Sequence, residues 1–292
     1  MNHHFNKGFL LTSLGSFWWG FIGVIYFEYV AFIGHIELVV HRCLWTTVML
    51  AITTFFFKKW NIFFDLISKK KNLFYLFLSG LLIFTNWAIW IYAVATEKII
   101  DASFGYFIMP ILSVLLGYIF FREKLNKKRI FSIVLVFLSI LIMIFLNIKT
   151  LPWVGITVAL SWAFYNLVRK KINVDTDIGL LIESLYILPF ALICFYFIYD
   201  KGLNDFSLNN FGLSLSLLLA GPMTVIPLFL YVKGVELIGL GATGMIFYIT
   251  PTLQFILGFF YYNEEFSAIK LVSFIIIWIA VIIYLRDLYE NN

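Results

Sequence analysis

Charge is scarce in this chain. Asp, Glu, Lys and Arg make up only 13% of its 292 residues, about half of the roughly 25% that a soluble domain carries to keep its surface wetted. That shortage excludes a water-facing globule of this length. Cysteine is scarcer still. Cys43 and Cys194 both fall inside apolar stretches, so they read as small core residues, not as a disulfide or a thiolate metal pair. No His box, clustered carboxylates or metal-ligand spacing is present, and no metal or cofactor is expected. Asp175 and Asp177 come nearest to an acidic pair, in a short loop beside a basic run. A membrane-embedded enzyme or a non-transporting partner protein is therefore the weaker alternative. No Gly-x-x-x-x-Gly-Lys-Ser/Thr loop exists to cradle ATP phosphates. Nor is there a filter motif or a ring of like charges to make a channel.

What the chain does have is apolar surface. It is 62% hydrophobic and 20% aromatic, with 34 Phe and a mean hydropathy of +0.96. Lipid solvates such surface and water does not. A helix crossing a hydrocarbon core about 30 Å thick uses roughly 20 residues. Apolar stretches of that length fall near 8–27, 36–57, 72–94, 103–121, 129–147, 151–168, 178–199, 213–232, 242–262 and 269–285. The sequence thus predicts an all-α integral membrane protein of ten transmembrane helices. The first stretch lacks a small-x-small cleavage site and holds Trp18 and Trp19, so it reads as a retained span.

Basic residues set the expected orientation. With the N-terminus inside, sixteen of the 21 Lys and Arg fall on the cytoplasmic side: Lys7, Lys58, Lys59, Lys69, Lys70, Lys71, Arg122, Lys124, Lys127, Lys128, Arg129, Arg169, Lys170, Lys171, Lys233 and Arg286. The other side holds Lys98, Lys149, Lys201 and Lys270. This asymmetry predicts a multi-pass protein of the inner (plasma) membrane with both termini cytoplasmic. The net charge of +5 is then a property of topology. These short loop clusters lack the folded basic surface that nucleic-acid binding requires. The expected partners are the lipid bilayer and a small-molecule substrate, and a homodimer is compatible with the sequence.

The chain also repeats itself. At a constant offset of 141 residues, 103–125 aligns with 244–266, matching Pro110 to Pro251, Leu112 to Leu253, Gly117 to Gly258 and Glu123 to Glu264. The same offset sets Arg42, Leu44 and Trp45 beside Glu183, Leu185 and Tyr186. Two five-helix repeats, 1–147 and 151–289, follow. Five is odd, so the second repeat enters the membrane inverted. The loops agree, because Glu123 is followed by Lys124, Lys127, Lys128 and Arg129, whereas Glu264 is followed by Glu265 and only Lys270. Inverted repeats place a pseudo-two-fold axis in the membrane plane, the arrangement of carriers that alternate access between two sides.

Several motifs in order resemble the RarD group of the EamA family, within the drug/metabolite transporter superfamily. They are His41-Arg42-x-x-Trp45, Asn86-Trp87, Gly105-Tyr106-Phe107-Ile108-x-Pro110, Ala163-Phe164-Tyr165 followed by Leu167-Val168-Arg169-Lys170-Lys171, Leu181-Ile182-Glu183, and Tyr248-Ile249-x-Pro251-Thr252. The resemblance covers nearly the whole chain. It implies two inverted five-helix repeats around a central cavity and a secondary transporter of small metabolites or drug-like solutes, an exporter or exchanger. The residue before Pro110 is typically Asn in that group and is Met109 here, which puts substrate preference in question.

Ionisable residues within spans are costly, and so they nominate the site. Arg42 lies about six residues into its span, roughly 9 Å deep at 1.5 Å per residue, and Glu183 lies similarly deep from the other face. They either snorkel to opposite headgroups, or flank a polar cavity and pair with each other or with a zwitterion. His41 points about 100° away from Arg42 around the helix; it is either a proton relay or a hydrogen-bonded structural residue. Asn86 and Gln254 must face protein or cavity. Trp87, Tyr106 and Tyr248 are candidate cavity aromatics, as are Trp18, Trp19, Trp90 and Trp162, though most of the chain's aromatic residues must serve packing or lipid contact. Pro110 and Pro251, equivalent under the offset, are candidate gating kinks. Glu183 and His41 are the ionisable groups near the midplane able to exchange a proton, so either uniport or proton-coupled exchange is expected.

Overall fold

The computed structural model describes residues 3–30, 32–95, 99–147, 153–172, 174–260 and 268–290. Regular structure among them is entirely helical. The first rod consists of α1 (His3–Phe17), a π-helical turn (Trp18–Ile22) and α2 (Gly23–Tyr29). It is followed by α3 (His35–Phe56), α4 (Trp60–Ser68), α5 (Lys70–Ala95), α6 (Ile99–Phe121) and α7 (Lys127–Asn147). Then come α8 (Trp153–Ile172), α9 (Thr176–Asp200), a 3-10 turn (Leu208–Asn210), α10 (Phe211–Leu218), α11 (Ala220–Ile246), α12 (Ile249–Phe260) and α13 (Ala268–Glu290). Long apolar runs can only be helical here, because lipid offers no partner for backbone N–H and C=O groups.

Six helical stretches are long and apolar enough to cross a bilayer: His4–Tyr29, His35–Phe56, Lys70–Ala93, Thr176–Asp200, Phe211–Leu257 and Leu271–Glu290. With the family assignment reported below, they make this a multi-pass membrane protein. Phe211–Leu257 is 47 residues, which as a straight helix would span about 70 Å, more than twice the hydrocarbon core. It does not run straight. Gly8 packs on Ile238, Thr12 on Gly234, and Gly15 on Pro227 and Tyr231, whereas Gly20 packs on Thr250 and Leu253. Thr250 Oγ1 also donates to the Ser16 carbonyl. Residues 227 and 250 therefore share one level of the first rod, while 238 lies about two turns nearer its start. The chain doubles back at Gly239, whose φ of 88° and ψ of 170° favour a residue without Cβ.

Helices from the two halves interleave. The first rod lies along α11, and α8 lies along α5 and α6; α3 packs on α9, α5 also on α9, α3 also on α11, and α7 on α13. α8 carries Arg169, Lys170 and Lys171 in its last turn and is buried over most of its circumference. Its exposed apolar surface is confined to Trp153, Leu160 and Phe164. At Gly221 the backbones of α11 and α3 nearly touch, since an added Cβ would stand 2.5 Å from the Trp45 carbonyl oxygen. Gly221→Leu is expected to destabilise the protein by about 2 kcal/mol or more through overpacking, read as a lower unfolding temperature in detergent.

The basic loops gather at one end. Lys59 lies 3.3 Å from Asp175 and 2.8 Å from Asp177. Burial lowers the Lys59 pKa, but these two carboxylates outweigh it and the net direction is upward. Arg129 pairs with Asp287 at 2.9 Å, and Phe5 meets Tyr289 with ring centroids 6.2 Å apart. At the other end, Glu37 accepts from the backbone N–H groups of Asp205 and Phe206. The basic connector 58–71 also holds a helix that its charge run concealed: α4, with Leu66 buried and Ile62 and Phe64 exposed.

Candidate functional site

The π-helical turn widens the first rod by one residue per turn, a feature common at functional sites. Its Trp19 packs edge-on against Trp162 of α8, with centroids 5.0 Å apart. These two rings wall a cavity that is also lined by Gly23, Val24, Phe27, Arg42, Asn86, Trp87, Trp90, Tyr106, Phe247 and Gln254. The cavity holds about 50 Å³, enough for a water or a small headgroup and far below the roughly 300–1,000 Å³ of a drug-sized pocket. A larger hollow, about 660 Å³, is an open groove along 118–126 at the basic end, beside Glu123 and away from Arg42.

Arg42 forms the polar wall of this cavity. It is 6% exposed, its Nε donates to Thr224 Oγ1 at 3.0 Å, and its guanidinium lies 4.6 Å from the Trp87 ring centre and 5.1 Å from that of Phe27. Cation–π contacts of this kind recover roughly 0.5–2 kcal/mol, less than the several kcal/mol that desolvating an ion costs. Asn86 is fixed by donating to the Val158 carbonyl at 2.9 Å and to Ser161 Oγ at 3.2 Å.

Five nominated residues, Arg42, Asn86, Trp87, Tyr106 and Gln254, thus come together, along with Trp19, Trp90 and Trp162. Three others lie elsewhere. Glu183 does not pair with Arg42. Its partner is Arg169, whose Nη1 lies 3.4 Å from Glu183 Oε1, and it accepts from Ser79 Oγ and Tyr165 OH. Neither Glu183 nor Arg42 snorkels, because both are buried in protein. His41 packs edge-on against Phe195 and at a tilt against Phe206, accepts from Trp45 Nε1 at 3.1 Å, and lies 3.4 Å from Glu37. That set anchors the loop after α9. Tyr248 donates to the Phe107 carbonyl at 2.8 Å, close to where Pro110 interrupts the α6 hydrogen-bond ladder.

The two prolines are not alike. Pro110 lies inside the continuous helix α6, whereas Pro251 occupies the first turn of α12, after a break at Phe247 and Tyr248. Met109 is buried in the core and accepts from Ser113 through its sulfur; it is not among the cavity residues. Glu264, the repeat partner of Glu123, lies outside the described residues.

Sequence reasoning did not single out Glu123 and Arg169 as interior polar groups. Glu123 accepts from Lys170 Nζ at 2.6 Å, Leu240 N at 2.8 Å and Gly241 N at 2.9 Å. It caps the helix that restarts after Gly239 and ties α6, α8 and α11 together at the basic end. The signal for Arg169 was present: the 141-residue offset that sets Glu183 against Arg42 also sets Arg169 against Glu28.

Comparison with known proteins agrees with this architecture. The EamA-like transporter family profile matches residues 6–145 and again 151–286. An "Uncharacterized transporter" of Vibrio cholerae is 34% identical over 281 residues, covering 96% of this chain and 92% of the relative. Protein RarD of Escherichia coli is 33% identical over 281 residues, covering 96% and 94%. An uncharacterized transporter of Bacillus subtilis is 33% identical, covering 95% and 93%. A crystal structure only 11% identical in sequence shares the fold, with a TM-score of 0.72 over 97% of this chain and 98% of that one. With two profile matches and identity above 30% along nearly its full length, this chain belongs to the EamA-like transporter family.

Proposed function

We propose that the chain is a secondary transporter that carries a small metabolite or drug-like solute across the plasma membrane by alternating access. The observation that carries this reading is the interior cavity beside Arg42, lined by residues of both halves. Ten spans in two inverted repeats, 1–147 and 151–289, form its frame. The reciprocal packing supports this, since the first rod on α11 mirrors α8 on α5 under the 141-residue offset. So does the reversal at Gly239, which makes two crossings of one apolar run. Both termini are cytoplasmic in this reading, on the side of the basic loops. The names of the relatives support transport over catalysis.

Two measurements test the proposal. Saturable counterflow of solute in proteoliposomes without nucleotide is expected, and an absolute requirement for ATP would overturn the carrier assignment. Single cysteines at Lys127 and Lys70 are expected to react only from the cytoplasmic face, and one at Asn204 only from outside. Labelling of Lys127 and Asn204 from one face would defeat the inverted arrangement.

A further inference from the structure

Buried arginines elsewhere in the fold are neutralised. Arg169 faces Glu183, and Arg129 faces Asp287. Arg42 is the exception. Among the described residues no carboxylate forms an ion pair with it, and its one hydrogen bond uses Nε, on Thr224. Both terminal amino groups of the guanidinium are left without an acceptor among the described residues, on a side chain more than nine-tenths buried that lines the cavity. The guanidinium carbon sits over the Trp87 and Phe27 rings and Nε is engaged by Thr224, so the free hydrogen-bonding capacity lies on the two terminal amino groups, a pair that can grip a carboxylate through two parallel hydrogen bonds. Among the described residues, no acidic one lines the cavity.

We propose that the cargo of this cavity is a small organic anion whose carboxylate docks on the terminal amino groups of Arg42 and whose aromatic or apolar body lies among the surrounding indole rings. This deepens the transporter reading and rests on it. A protonated amine is the wrong cargo, because it would meet a positive charge with no carboxylate to receive it. The present volume of about 50 Å³ admits the headgroup but not the body. Trp19 and Trp162 must therefore part as the body enters, and that movement couples binding to opening.

Benzoate, benzamide and benzylamine share a ring and differ in charge, so they separate the possibilities. Each is tested at neutral pH for thermal stabilisation of the detergent-solubilised protein and for counterflow in proteoliposomes. Benzoate is expected to bind wild type at least about ten-fold more tightly than benzamide, as loss of a charge-assisted bidentate contact implies, and benzylamine is expected not to bind. Arg42→Gln should erase the preference for benzoate over benzamide, and Arg42→Lys should keep part of it. If Arg42→Gln fails to fold, the wild-type ranking decides alone. Equal binding of benzoate and benzamide, preference for benzylamine, binding of none of the three, or equal stabilisation by chloride would each overturn the proposal. Stabilisation by benzoate without flux of any probe would uphold the anion site and sink the transporter reading. Flux of benzylamine alone would do the reverse.

Discussion

Glu183→Ala is expected to cost about 3–5 kcal/mol of stability, because it strands the Arg169 guanidinium in the protein interior. In detergent this should appear as a fall in unfolding temperature on the order of 10 °C. The carboxylate holds three groups at once, and the Glu183 backbone meets a fourth. Ser79 and Tyr165 donate to it, Arg169 faces it across 3.4 Å, and Gly80 brings α5 against its backbone. Arg169 has little to fall back on, since its Nε has no hydrogen-bond partner and its Nη2 donates only to the Thr176 carbonyl. The double change Glu183→Gln with Arg169→Met should recover most of the loss, as apolar replacement of buried pairs commonly does. Recovery by neutralising Arg42 instead of Arg169 would contradict the pairing.

Glu123→Ala is expected to act mainly on conformation. The carboxylate makes three charge-assisted contacts, with Lys170, Leu240 and Gly241, all at the basic end where the halves meet. Hydrogen bonds to charged groups contribute about 1.5–3 kcal/mol each. Even half of the total would shift a closed-to-open equilibrium by roughly 30-fold or more. A cysteine at Thr243, fully buried one turn past the cap, should then react from the side of the basic loops at least about ten-fold faster. Glu123→Gln should fall between, retaining an acceptor but losing the charge. Unchanged reactivity in both variants would show that this contact closes nothing.

Much of this was legible in the sequence. The apolar helices follow from run length, the cavity residues Arg42, Asn86 and Gln254 from the cost of polar groups in lipid, and Trp87 and Tyr106 from the affinity of aromatic faces for cations and rings. What failed was partner choice. The offset that relates Arg42 to Glu183 reports equivalent positions in two halves, and equivalence under a two-fold axis does not require contact. Glu183 found Arg169 because α8 and α9 are sequential neighbours, whereas the basic run 169–171 had been read as loop charge. His41 illustrates a second limit. Its neighbours Phe206 and Phe195 come from a loop and a helix far along the chain, and no local pattern announces them. The helix α4 was hidden because Lys58, Lys59, Lys69, Lys70 and Lys71 made the whole connector look like a loop.

The cap on the restart after Gly239 has a consequence for the order of assembly. The donors on Leu240 and Gly241 are satisfied by a carboxylate made 117 residues earlier, with no hydrophilic loop between the two arms of the reversal. The nearest carboxylate in the hairpin itself, Glu236, is engaged instead by Thr176 and Lys233. The arms must enter lipid with that end unfinished and mature only on reaching Glu123, already waiting at the end of α6. The earlier half is thus a template for the later one, and the last helices to be synthesised take their final shape only in its presence.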